Sequence, residues 1–147
     1  MKLIESNEMD EFRLYLLGHL RDHHFPQANN RVFLTERSEA AYEVFEHYRL
    51  EGKSVTTARE LAMRVLLDGV YVSRWDVIMQ IIEEDLWLRI TERERKHWAK
   101  LFLNLRFINS ILDKYEVNGD FLERGDYPSL KTALLGEMTE ILDGYGL

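Results

Sequence analysis

Apolar residues recur along this chain at steps of three and four, the spacing that lines one side of a helix. Met9, Phe12, Leu16 and Leu20 mark a first helix over about Glu8–Asp22. His24-Phe25-Pro26 stops it, because a residue before proline is driven out of helical geometry. A second helix is predicted from about Arg31 to Leu50, ended by Gly52. Thr57 and Glu60 have the spacing of a capping box and open a third, which runs to Gly69. Val70-Tyr71-Val72 reads as a short extended link. Ser73 and Asp76 then start a fourth helix that reaches about Leu88. Thr91 and Glu94 repeat the box and open a long fifth helix ending near Glu116, before Asn118-Gly119. A loop with Gly125 and Pro128 precedes the sixth, about Ser129 to Asp143, terminated by Gly144. No stretch alternates like a strand over more than three residues. The expected class is all-α: one domain over 1–147, a bundle of about six helices with the long fifth at its centre.

Two of these helices are apolar on more than one side. On the fourth, Trp75, Ile78, Met79, Ile82 and Leu86 face one way and Val77, Ile81 and Leu88 another. On the fifth, Trp98, Leu101, Leu105, Ile108, Leu112 and Tyr115 form a stripe, with Leu103 and Phe107 on the far side. Such a helix either occupies the centre of a bundle or covers an interface with a partner or a second copy. Binding of that kind centres on large aromatics, so Trp75, Trp87 and Phe107 are the candidate anchors. Arg37 sits among Leu34, Ala41, Val44, Phe45 and Tyr48 and needs an acceptor there. An internal salt bridge is the expectation, and an anionic ligand the alternative.

Composition sharpens this picture. The chain has 147 residues, 46% hydrophobic and 31% charged, which suits a folded domain rather than disorder. The absence of cysteine excludes disulfides, iron–sulfur clusters, thiolate zinc sites and cysteine nucleophiles. No apolar run has the length of a signal peptide or a membrane span, so a cytoplasmic protein without membrane attachment is expected. The net charge of −7 argues against a general nucleic-acid binder. Yet residues 91–115 hold six basic against three acidic side chains, and 116–147 two against seven. The excess gathers at the start of the fifth helix in Arg93, Arg95, Lys96 and Lys100. This patch either meets the acidic C-terminal segment or serves an accessory nucleic-acid protein. A helix-turn-helix is poorly matched, since Ala62 and Gly69 stand seven apart rather than four.

Candidate chemistry is sparse. His19 and His23 are four apart, a spacing that lets two imidazoles share one ion, but a third ligand must come from elsewhere. They and Arg37 define a metal or small-ligand reading. Glu94 and His97 make half of a di-iron signature, and no other histidine has a glutamate three residues before it. Consecutive Glu83, Glu84 and Asp85 point in different directions and are not expected to converge on one ion. There is no nucleophile elbow, P-loop or G-x-G-x-x-G. A non-enzymatic module without a cofactor, binding a protein partner or itself, is the expected function.

Two stretches, 12–26 and 35–78, carry a wider pattern. Phe12-Arg13-Leu14 with Leu16 and Leu20 opens it; Arg37, Ala41, Phe45 and Glu46 follow, then Ala58 to Gly69, Ser73 and Asp76. Together they resemble a family of small Bacteroidetes proteins described as a domain of unknown function. The resemblance implies an all-helical fold and an accessory or regulatory role beside integrated and conjugative elements. It brings no activity and no catalytic residue to carry over.

Overall fold

The computed structural model describes residues 2–117 and 125–146, with side chains from residue 8 onward. The expected Asn118-Gly119 turn lies outside the described residues. The chain folds into two compact units, Met1–Val70 and Tyr71–Leu147, each around its own apolar core. Seven α-helices and no strand occur among the described residues, so the fold is all-helical.

The first unit holds α1 (Lys2–Asp22), a 3-10 turn (Pro26–Asn29), α2 (Arg31–Leu50) and α3 (Val55–Leu66). The Asn30 side chain accepts the Phe33 N–H at 3.1 Å and so caps α2. Gly52, with φ +90°, ends the passage out of α2 in a conformation that side chains resist. Helix α3 begins before Thr57, because the Ser54 hydroxyl accepts the Thr57 N–H at 3.1 Å and takes the cap position. Phe12, Leu16 and Leu20 of α1 pack onto Leu34, Ala41 and Phe45 of α2 and Ala58, Ala62 and Leu66 of α3. The alanines let α2 and α3 approach closely, and the Phe12 and Phe45 rings meet edge to face at 6.0 Å.

The second unit holds α4 (Arg74–Asp85), a 3-10 turn (Glu92–Glu94), α5 (Arg95–Leu103), α6 (Arg106–Lys114) and α7 (Tyr127–Gly144). The capping box of α4 forms as expected. The Ser73 hydroxyl accepts the Asp76 N–H at 3.1 Å, and the Asp76 carboxylate accepts the Ser73 N–H at 2.9 Å. The box expected at Thr91 does not form: its hydroxyl donates to the Glu94 carboxylate at 2.9 Å instead. Trp75, Val77, Ile78, Ile81 and Ile82 are all buried, so the two apolar faces of α4 are both core. Helix α4 is therefore the central one.

The long central fifth helix is corrected to two shorter ones. Leu105 is extended (φ −91°, ψ 134°) and separates α5 from α6. The Asn109 amide donates to the carbonyl of Leu103 at 2.6 Å, an acceptor at the break, and to that of Leu105 at 3.0 Å, which also accepts the Asn109 backbone N–H at 3.1 Å. Arg74 Nη1 in turn donates to Asn109 Oδ1 at 3.1 Å. A side-chain amide and a distant guanidinium thus hold the break open. The buried face changes with it: Trp98, Ala99 and Phe102 on α5 and Ile108 and Leu112 on α6 enter the core, while Leu101 and Leu105 stay half-buried.

Glu84 and Asp85 also depart from expectation, because they converge on one cation. Lys131 Nζ lies 2.9 Å from Glu84 and 2.8 Å from Asp85. Asp85 ends α4, and a long lysine side chain from α7 reaches both acids there. Hydrogen bonds from Gln80 and Lys131 hold the Glu84 carboxyl below the usual carboxylate range. Asp85 and then Glu84 hold the Lys131 ammonium above its usual range. The carboxylate's contribution is complete above the ordinary carboxylate range and is lost as pH falls through its lowered folded value. The ammonium's contribution is complete below the ordinary lysine range and is lost as pH rises through its raised value. Melting curves across pH should show wild type above Lys131→Met by a constant margin near neutrality, narrowing in acid. A margin that persists unchanged in strong acid counts against the pair.

Candidate partner-binding groove

The apolar stripe of α5 is wider than the core covers. With Trp98, Ala99 and Phe102 turned inward, Leu101 lies one helical step around, Leu105 follows at the break after α5, and α7 brings Ile141 beside them. These side chains floor a groove of about 640 Å³. Tyr145, just past the end of α7, is 65% exposed and forms a wall, its ring edge-on to Trp98 at 5.4 Å. His97 and Lys100 stand on the α5 side and Glu140 on the α7 side. The volume is that of a ligand or peptide site, with few polar groups converging on an apolar floor.

Arg74 pairs with Asp113, Arg89 with Asp143 at 2.6 Å, and Lys131 with Glu84 and Asp85. Arg93, Arg95, Lys96 and Lys100 have no ion pair or hydrogen-bonding side-chain partner among the described residues. The Arg95 Nε is buried with no hydrogen-bond partner. The basic patch of α5 therefore does not meet the acidic side chains of α7.

The other sequence-derived candidates are scattered. Trp75 is 8% exposed and packed in the core of α4, so it is no surface anchor; both faces of its helix are covered. Trp87 (57% exposed) and Phe107 (71% exposed) are on the surface and outside the groove lining. Helix α4 ends at Asp85, which leaves Trp87 and Leu88 in the following turn. In the first unit the His19 and His23 rings lie 4.4 Å apart. The His19 Nε2 donates to the Val70 carbonyl at 2.7 Å, which occupies one ring nitrogen. Among the described residues no three His, Asp or Glu side chains gather for a metal ion.

Among the described residues Arg37 has no salt bridge. Its Nη1 donates to the carbonyls of Val65 and Leu66, both at 3.3 Å, and Asp68 at 2.6 Å, while its guanidinium lies 4.8 Å from the Phe33 ring centre. The end of α3 and the turn after it present carbonyls with acceptor capacity to spare and a partial negative charge, and these replace the expected carboxylate. Sequence reasoning did not find Glu140, Ile141 and Tyr145 as site residues. The available signal was an aromatic residue directly after the terminating Gly144.

With this geometry in place, comparison with known proteins identifies the chain's relatives. The model of the family described as a domain of unknown function, DUF1896, matches residues 4–147. The chain belongs to this family. Its fold is similar to that in the crystal structure of protein PG0816 from Porphyromonas gingivalis, with a TM-score of 0.85 and 27% identity. That likeness covers 97% of this chain and 95% of the other. No curated protein matches. The all-helical fold expected from the resemblance thus holds for this DUF1896 chain over both units. Among its described residues, no helix is long and apolar enough to cross a membrane.

Proposed function

We propose that this DUF1896 chain is a non-enzymatic, cytoplasmic interaction module that binds a protein partner through the α5–α7 groove. One observation carries the reading: an apolar floor of Leu101, Leu105 and Ile141 lies beside a row of cations that lack counter-charges within the described residues. Paired surface charges are solvated and cheap, whereas an unpaired row flanking apolar surface favours an oppositely charged partner. An accessory role beside mobile elements, as the family resemblance implies, fits such a module.

The test compares cross-linked partners of wild type, Leu101→Asp and Phe107→Glu in an extract of the source cells. A protein held by wild type and Phe107→Glu should be reduced about ten-fold with Leu101→Asp, since a charge in an apolar contact costs more than 1.4 kcal/mol. If Phe107→Glu removes the partner and Leu101→Asp keeps it, the contact lies on α6 instead. A second reading, an accessory nucleic-acid protein, is favoured by the same unpaired Arg93, Lys96 and Lys100. It requires a mobility shift with DNA at low salt that weakens steeply as salt rises.

A further inference from the structure

We infer that the occupant of the α5–α7 groove is an acidic amphipathic helix of a protein partner, a refinement that rests on the protein-binding reading. Leu101 lies on α5 and Leu105 just past the break that ends it, while Ile141 lies on α7 and Tyr145 just past its end. Each wall therefore offers one apolar side chain from its helix and a second from the segment just past the helix end. An apolar trough between two helices accepts the i, i+3, i+4 ridge of a third helix.

Charge complementarity fixes the sign of the partner and its sidedness. Lys96 and Lys100 are also four apart, so they meet acids one turn apart on an incoming helix. Glu140 stands on the opposite rim and disfavours acids there. The partner helix thus carries an apolar ridge, Asp or Glu on the flank facing α5, and neutral or basic residues on the flank facing α7. An aliphatic floor offers a phosphate backbone nothing to bind, and Glu140 and the chain's net charge of −7 repel it.

The experiment uses the full chain and three labelled helical peptides of about 18 residues, capped at both ends. They share one leucine ridge and carry glutamate, glutamine or lysine on one flank. Fluorescence anisotropy at low salt should show the glutamate peptide binding about ten-fold tighter than the glutamine one. That preference should fall with salt and disappear in Lys96→Glu/Lys100→Glu, whose exposed positions leave the fold intact by circular dichroism. Leu101→Asp should weaken all peptides alike. Three results overturn the inference: no preference for glutamate, tighter binding of a DNA duplex, or a dimer in light scattering that Lys96→Glu/Lys100→Glu dissociates. A glutamine peptide bound equally well, and lost with Leu101→Asp, removes the acidic helix but leaves the protein-binding reading standing. If no peptide binds and Leu101→Asp keeps every cross-linked partner, both fall.

Discussion

Phe102→Ala is expected to destabilise the second unit by about 3–5 kcal/mol, the range for deleting a fully buried phenylalanine. Phe102 has no exposed surface and packs at 5.6 Å from the Trp98 ring in the core built around α4. The substitution removes the apolar transfer term of the ring and leaves a cavity that rigid neighbours fill only in part. Ile78, Ile81, Ile82 and Leu134 are likewise fully buried in that core, so little side-chain movement is open to them. Denaturant unfolding followed by tryptophan fluorescence measures the loss. The matched control, Phe107→Ala, removes the same atoms from a surface position and should stay within about 0.5 kcal/mol of wild type. A loss below about 1 kcal/mol for Phe102→Ala would place its ring outside the packed core.

Arg37→Met is expected to destabilise the first unit by about 2 kcal/mol, within the range for hydrogen bonds made by a charged group. Its guanidinium serves three carbonyls at the end of α3, and methionine keeps the apolar stem but none of the donors. The carbonyls of Leu66 and Asp68 then lose the guanidinium, Val65 keeps only the Asp68 N–H, and the attraction between the cation and the helix end is lost as well. Arg37→Lys keeps the charge without the planar fork and should fall between the two. The outcome separates two roles. A structural arginine lowers the denaturation midpoint when replaced, whereas one held for an anionic ligand leaves the midpoint of the free protein unchanged.

The same arginine shows where sequence reading stops. Its place on the apolar stripe of α2 was legible, and so was its need for an acceptor. The acceptor itself was not, because the carbonyls of Val65, Leu66 and Asp68 come from the end of α3 and the turn after it, about 30 residues away. Trp75 failed in the same way. Its helix is apolar on two sides, and only the packing of α5, α6 and α7 shows both sides covered. The groove was half legible: Lys96 and Lys100 stood out in the charge pattern, while Ile141 and Tyr145 needed the tertiary contact.

Helix existence was set locally. The repeat of apolar positions, the Ser73–Asp76 box and the stops at Gly52 and Gly69 act within a few residues, so the all-α class follows from the chain alone. The break between α5 and α6 was decided elsewhere. Asn104 and Asn109 interrupt an apolar run, which is compatible with either a continuous or a broken helix. Arg74 orienting Asn109, and the Asn109 amide taking the Leu103 carbonyl, favour the broken form. That choice turns Phe102 inward and leaves Leu101 and Leu105 half-buried beside unpaired cations. Periodicity is a property of neighbours in sequence; which face is covered depends on neighbours in space. The sequence therefore determined the helices and the basic patch, and tertiary packing decided that the patch borders an apolar groove.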